Sequence, residues 1–238
     1  MFIIMYHSLL IGASLFAPIP FLDEKLAAFL WKRMVSELAK NHKRTLSEEQ
    51  LAALSYQYKF VLSGGCLYVL KRIFKQISQE VIFFLEWGKA LDMATDAYYS
   101  GYLLNELFSS DTFDHAKIDR YAVAMQNAKK GFNKKLMRGV IKGTFQSSRG
   151  VLWSIIKWLT SIAADTIKDI GKRAIRRRND PAIEKSMGGF FEQNKAKLES
   201  LINQLKTQFD EGLGGVPAQH FEVLKNKMFA ELQVHENS

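Results

Sequence analysis

Between Pro20 and Pro181 the chain runs 160 residues without a proline. Proline removes a backbone donor and breaks helix interiors, so a tract of this length without one is open to long helices. Apolar periodicity fills it. Leu26, Leu30, Met34 and Leu38 recur every four residues behind Asp23, the spacing of one buried helical stripe. Ser47-Glu48-Glu49-Gln50 has the form of a capping box, with Leu46 and Leu51 placed for a hydrophobic staple. That helix is expected to run to about Ser63 and break at Gly64-Gly65, with a short apolar helix over Cys66–Ile77.

Ser78 to Phe108 reads as the central helix. Phe83, Phe84, Trp87, Ala90, Leu91, Ala94, Ala97, Tyr98, Gly101 and Tyr102 form an unbroken stripe. Its Ala90, Ala94, Ala97 and Gly101 invite close approach by a neighbour. A helix with Ile118, Tyr121, Ala122 and Met125 on its dry side follows Ser109-Ser110-Asp111. Asp180-Pro181 supplies an N-cap and first helical position for a helix carrying Phe190, Phe191, Leu198, Leu201, Ile202, Leu205 and Phe209. Past the Gly212–Val216 loop, Pro217 starts a last helix with Phe221, Leu224, Met228 and Leu232. No strand pattern occurs. The expectation is an all-α fold: a compact multi-helix bundle of about eight helices. It divides into an apolar N-terminal segment (1–22), a helical body (23–178) and a C-terminal helical hairpin (181–235).

Met1 to Leu22 carries no charge, and sixteen of these 22 residues are apolar. A membrane span needs roughly 20 such residues, but Pro18 and Pro20 interrupt one end and His7, Ser8, Gly12 and Ser14 dilute the other. No basic n-region marks a secretory signal. Two readings stand: a helix packed in the core, or membrane contact. In the second, Lys25, Lys32, Arg33, Lys40, Lys43 and Arg44 would keep the body in the cytoplasm. The single cysteine, Cys66, excludes an intramolecular disulfide and fits a reducing compartment.

Ala17-Pro18-Ile19-Pro20-Phe21-Leu22-Asp23, followed by Met34-Val35 and Leu38-Ala39, resembles the opening of a bacterial inner-membrane domain of unknown function that is often attached to small GTPases. The resemblance covers residues 17–39 and implies membrane association. No G-x-x-x-x-G-K-S/T loop exists in this chain, so it carries no GTPase of its own.

Charge is the second organising feature. Lys129–Arg178 holds fourteen Lys or Arg against Asp165 and Asp169, a local charge of +12, which leaves −3 for the rest of a chain whose total is +9. A basic character this local points to an anionic partner surface. Lys134, Lys135, Arg138, Lys142, Arg149, Lys172, Arg173, Arg176, Arg177 and Arg178 are the candidate anion-binding residues. Gly139 and Gly143 form a G-x-x-x-G. From Val151 to Ala174 the pattern is amphipathic. Val151, Leu152, Ile155, Ile156, Leu159, Ile162, Ala163, Ile167 and Ile170 share one side; Ser154, Lys157, Ser161, Lys168 and Lys172 share the other. Trp153 and Trp158 fall at opposite borders of the apolar side, where interfacial helices place tryptophan. The same pattern serves a helix that buries this side in its own core, and both readings stand.

No residue set identifies a reaction. Asp92 and Asp96 are four apart and repel unless a cation lies between them; Lys89 is the nearest one in sequence. His115 and Asp119 have metal-ligand spacing but lack further ligands. His42 and His220 are scattered, Cys66 has no marker of a reactive thiolate, and Tyr98, Tyr99 and Tyr102 read as packing residues. No cofactor, metal or small-molecule substrate is expected. The sequence reads as a non-enzymatic, peripheral binder of anionic membrane at its cytoplasmic face. The alternatives are a nucleic-acid-binding module or an adaptor or effector gripping a protein through the same basic surface.

Overall fold

A computed structural model of the chain describes residues 1–16, 22–55, 79–175 and 181–234; the side chains of 22–24, 79–86, 170–175, 181 and 234 are not described. Among the described residues there are nine α-helices, one 3-10 turn (His115–Lys117) and no strand. The helices are α1 (Phe2–Ser14), α2 (Leu22–Asn41), α3 (Glu48–Ser55), α4 (Gln79–Ser109), α5 (Ile118–Lys129), α6 (Lys135–Ser147), α7 (Arg149–Ile175), α8 (Pro181–Gly214) and α9 (Ala218–Val234). The all-α bundle expected from periodicity is the fold observed. The break at Gly64-Gly65, the helix expected over Cys66–Ile77 and the cap at Asp180 lie outside the described residues.

The N-terminal segment is the core. Every residue from Ile4 to Phe16 is buried, and α1 packs on α4, α2, α7 and α8. Its nearest neighbour is the small-residue stripe of α4. A Cβ on Gly12 would stand 2.7 Å from Ala94 Cβ and 2.9 Å from Ala90 O, while one on Gly101 would meet Ile4 at 2.9 Å. Position 12 thus lies against 90–94 and position 4 against 101, so the two helices run antiparallel with their backbones close. Ile4, Met5, Tyr6, Leu9, Leu10, Ile11, Leu15 and Phe16 are all buried apolar side chains. Each contributes about 1.5–3 kcal/mol of gross burial, before the entropy cost of ordering it. The apolar N-terminal helix is therefore part of the folded core. No helix among the described residues is long and apolar enough to cross a membrane.

The ends of the helices are fixed as local chemistry dictates. The Ser47 hydroxyl accepts the Gln50 N–H at 3.2 Å and the Gln50 amide oxygen accepts the Ser47 N–H at 3.0 Å, the reciprocal pair of a capping box. Arg44, just past α2, caps the far end of α4: its guanidinium donates to the carbonyls of Phe108 (3.3 Å) and Ser110 (2.9 Å) and lies over the Phe113 ring. Gly131, with φ +69°, turns the chain out of α5 in a conformation that excludes most side chains.

Helices α6 and α7 form a nearly continuous rod, interrupted only at Ser148. The rod lies antiparallel along α8. Val140 sits against Gly212, Ser148 Oγ is 3.4 Å from Gln208 Oε1, and Trp158 meets Phe191 edge-on at 5.5 Å, so numbers rise on one member as they fall on the other. Gly215 and Val216 close a tight turn between α8 and α9. The two helices then separate: α8 follows the α6–α7 rod, whereas α9 lies on α5 and α4. One continuous core cluster spans from Ile4 to Met228.

Candidate functional site

The basic stretch divides into cations that the fold consumes and cations that it displays. Lys129, at the end of α5, is buried. Its ammonium lies 3.1 Å from Asp96 Oδ2 and donates to Ser100 Oγ at 2.6 Å. Lys134 reaches the other Asp96 oxygen at 2.5 Å, and Arg138 Nε donates to Asp92 Oδ1 at 2.5 Å. The acidic pair of α4 is thus relieved of its mutual repulsion by three basic side chains some 33 to 46 residues further along the chain. Lys89, the neighbour in sequence, is exposed and takes no part. Burial alone would raise the Asp96 carboxyl, but Lys129 and Lys134 outweigh it and hold the group below the usual carboxylate range. Burial pushes the Lys129 ammonium below the usual lysine range despite Asp96. Lys134 and Arg138 are therefore committed to internal pairs before any external anion arrives.

What remains lies on the exposed sides of α6 and α7. Lys135 and Lys142 are exposed two turns apart on α6, and Arg149 and Lys157 two turns apart on α7; none has an ion-pair partner among the described residues. No Asp or Glu occurs between Asp119 and Asp165, so no carboxylate of the rod neutralises this face until Asp165, which pairs with Lys168 at 3.3 Å. Two large apolar side chains stand among the four cations: Leu136 is 42% exposed and Trp153 48% exposed. Gly139, Gly143, Gly150 and Ser154 complete the face with little bulk.

The apolar side of α7 has the opposite fate. Leu152, Ile155, Ile156, Leu159, Ile162 and Ala163 are buried against the body. Trp158 goes with them, 7% exposed and edge-on to Phe191. Of the two tryptophans expected at a membrane interface, only Trp153 stands at the surface. The reason is geometric: the two rings border the apolar stripe on opposite sides, and α8 covers one border but not the other. Nothing lies within 4 Å of a Cβ built on Gly139 or Gly143, so their G-x-x-x-G makes no helix contact among the described residues. The side chains of Lys172 and Arg173 and all of Arg176, Arg177 and Arg178 lie outside the described residues.

Two polar clusters have the residue types of catalysis without its access. Ser100 and Lys129 stand at the distance of a serine–lysine dyad, but Ser100 is fully buried, Lys129 is 6% exposed, and the ammonium is already bound to Asp96. A fully buried His7 places Nε2 3.1 Å from Glu37 Oε2, which also accepts from Arg33 on the other oxygen at 2.9 Å. Burial holds the His7 imidazole below its ordinary range. Burial would raise Glu37, but the hydrogen bond and charge of His7, with Arg33 behind them, bring it down to about 2. Arg33 continues to Glu192 and lies over the Phe191 ring, tying α2 to α8. This cluster joins α1, α2 and α8 and offers no open position to a substrate. Among the described residues no three His, Cys, Asp or Glu side chains converge as metal ligands do; His115 stacks edge-on against Phe113. Tyr98 and Tyr99 are buried, and the Tyr99 hydroxyl, pushed up by burial, is 2.7 Å from His220 Nε2.

No family model, no curated protein and no solved structure matches this chain.

Proposed function

We propose that this protein is a peripheral membrane-binding protein that docks on anionic lipid at the cytoplasmic leaflet through the outer face of the α6–α7 rod. The observation that carries the reading is the combination on one face of four exposed cations without carboxylate partners, Lys135, Lys142, Arg149 and Lys157, with exposed Leu136 and Trp153 among them. Each Lys or Arg near an anionic leaflet is worth about 1 kcal/mol, and tryptophan favours the headgroup boundary. Apolar residues between the cations suit a lipid surface better than a phosphate backbone, which is met by cations and hydrogen-bond donors.

The mode of binding follows from the fold. The apolar side of α7 is held in the core, so docking is electrostatic and superficial, with Trp153 and Leu136 entering the headgroup layer while the helix stays in place. Such binding weakens with salt. Flotation with vesicles of phosphatidylcholine alone, and with phosphatidylglycerol added, tests it. Binding is expected only to the anionic vesicles, to fall as salt rises, and to drop about 100-fold in the Lys142→Ala/Arg149→Ala/Lys157→Ala variant. Binding to neutral vesicles at equal strength would overturn the reading, as would duplex DNA or RNA binding with no flotation.

A further inference from the structure

At a different place in the molecule, the ends of α4 and α9 and the start of α5 enclose an open cleft of about 230 Å³. Leu107 comes from α4, Tyr121 from α5, and Phe229 and Leu232 from α9; together they make an apolar floor. Lys117 and Arg120 are in its lining with Thr112 and Gln233, and no carboxylate of the described residues is. That absence is arranged rather than trivial, because acidic residues are close in sequence. Three of them are turned to other partners: Asp114 accepts the Ala116 N–H at 2.8 Å, Glu106 pairs with Lys225 at 3.6 Å, and Glu231 accepts from Asn127 at 3.0 Å; Asp111 and Asp119 are exposed outside the lining. Arg120 is exposed and has no ion-pair partner among the described residues. The cleft wall is also fixed before anything binds. The Tyr121 hydroxyl accepts the Asp114 N–H at 2.9 Å, and its ring stacks on Phe113 at 5.6 Å, which in turn lies under the Arg44 guanidinium.

We infer that this cleft is a binding site for a small amphiphilic carboxylate, its hydrocarbon part on Leu107, Phe229 and Leu232 and its head on Arg120. Size sets the class. An apolar cavity of roughly 150 Å³ accepts benzene, and drug-sized ligands need about 300 Å³ or more. A short acyl chain or single ring with one carboxylate lies between the two. Planar, bidentate recognition of a carboxylate is what a guanidinium does best. For a ligand of about ten non-hydrogen atoms the affinity belongs in the millimolar range.

The test is titration of the full-length, isotope-labelled protein with octanoate and, separately, with 1-octanol, followed by amide chemical shifts. Octanoate is expected to saturate, with shifts centred on Leu107, Thr112, Arg120 and Gln233, and 1-octanol to bind more weakly at the same place. Arg120→Glu, at an exposed position the core does not use, is expected to weaken octanoate at least tenfold and leave 1-octanol unchanged. Leu232→Trp, which fills the floor, is expected to weaken both. Equal binding of octanoate and 1-octanol, shifts scattered over the surface without saturation, or octanoate binding untouched by Arg120→Glu would each overturn the inference.

Discussion

Asp96 joins α4 to the end of α5 and the start of α6. It is buried and its two oxygens are divided between a buried and a half-exposed ammonium. Removing one partner of a buried pair leaves an uncompensated charge and costs about 3–5 kcal/mol, whereas a pair near the surface is worth about 1 kcal/mol or less. Asp96→Asn, which strands Lys129, is therefore expected to lose about 3–5 kcal/mol in urea unfolding, and Lys134→Met no more than about 1 kcal/mol. The pH dependence has a definite sign. Asp96 and Glu37 both have folded-state values below their unfolded ones. Their contribution is full above about pH 5 and is lost as pH falls through the folded values, about 2 for Glu37. Asp96→Asn and Glu37→Gln are each expected to flatten the loss of urea stability between about pH 5 and pH 2; an unchanged acid limb would show that neither pair matters. The repulsion between Asp92 and Asp96 is legible in the sequence as a demand for a cation, but the donor is not. The nearest lysine, Lys89, points to solvent, and the three that answer arrive through a chain reversal that only the packing of α5 and α6 against α4 specifies.

At the scale of elements, α1 and α7 carry the same ambiguity for different reasons. An uncharged helix whose polar side chains are only His7, Ser8 and Ser14 does not say which medium it faces, so residues 2–14 read equally as lipid-facing or core-facing. The stripe of Ala90, Ala94 and Gly101 on α4 resolves this, because only a close-packed helix uses such small residues, and α1 is the helix that does. Gly12→Val is accordingly expected to cost about 2–3 kcal/mol through overlap with Ala90 and Ala94. Gly139→Ala and Gly143→Ala, with open space around them, are each expected to gain about 0.5–1 kcal/mol from helix propensity. Thermal melts of the three variants separate the glycine that packs from the two that merely resemble a packing motif. In α7 the amphipathic pattern is plain, yet the pattern of a core helix and that of an interfacial helix are identical in sequence. The burial of Ile155, Leu159 and Ile162 decides for the core. The reciprocal cap at Ser47 and Gln50, by contrast, is wholly local and is legible residue by residue.

Across the whole molecule, the fold sorts a block of like charge into two populations. Lys129 and Lys134 neutralise the buried Asp96 of α4, Arg138 pairs with its exposed Asp92, and Lys135, Lys142, Arg149 and Lys157 are left on the outer side of a rod that α8 supports from behind. The total charge of the stretch is visible in the sequence; this division is not, because it depends on which side of each helix the body covers. The tight turn before α9 likewise fixes only that α8 and α9 meet at one end, and the separate paths of the two helices follow from where their apolar stripes find partners. The central claim is that anionic lipid meets the folded body at this outer face, without release of α7. Tryptophan emission on adding anionic vesicles tests it most directly, since Trp153 lies outside the body and Trp158 inside. The account predicts a vesicle-induced blue shift that disappears in Trp153→Phe and persists in Trp158→Phe. A shift that survives Trp153→Phe and is lost in Trp158→Phe would contradict it, because the buried side of α7 would then be the side that enters the membrane.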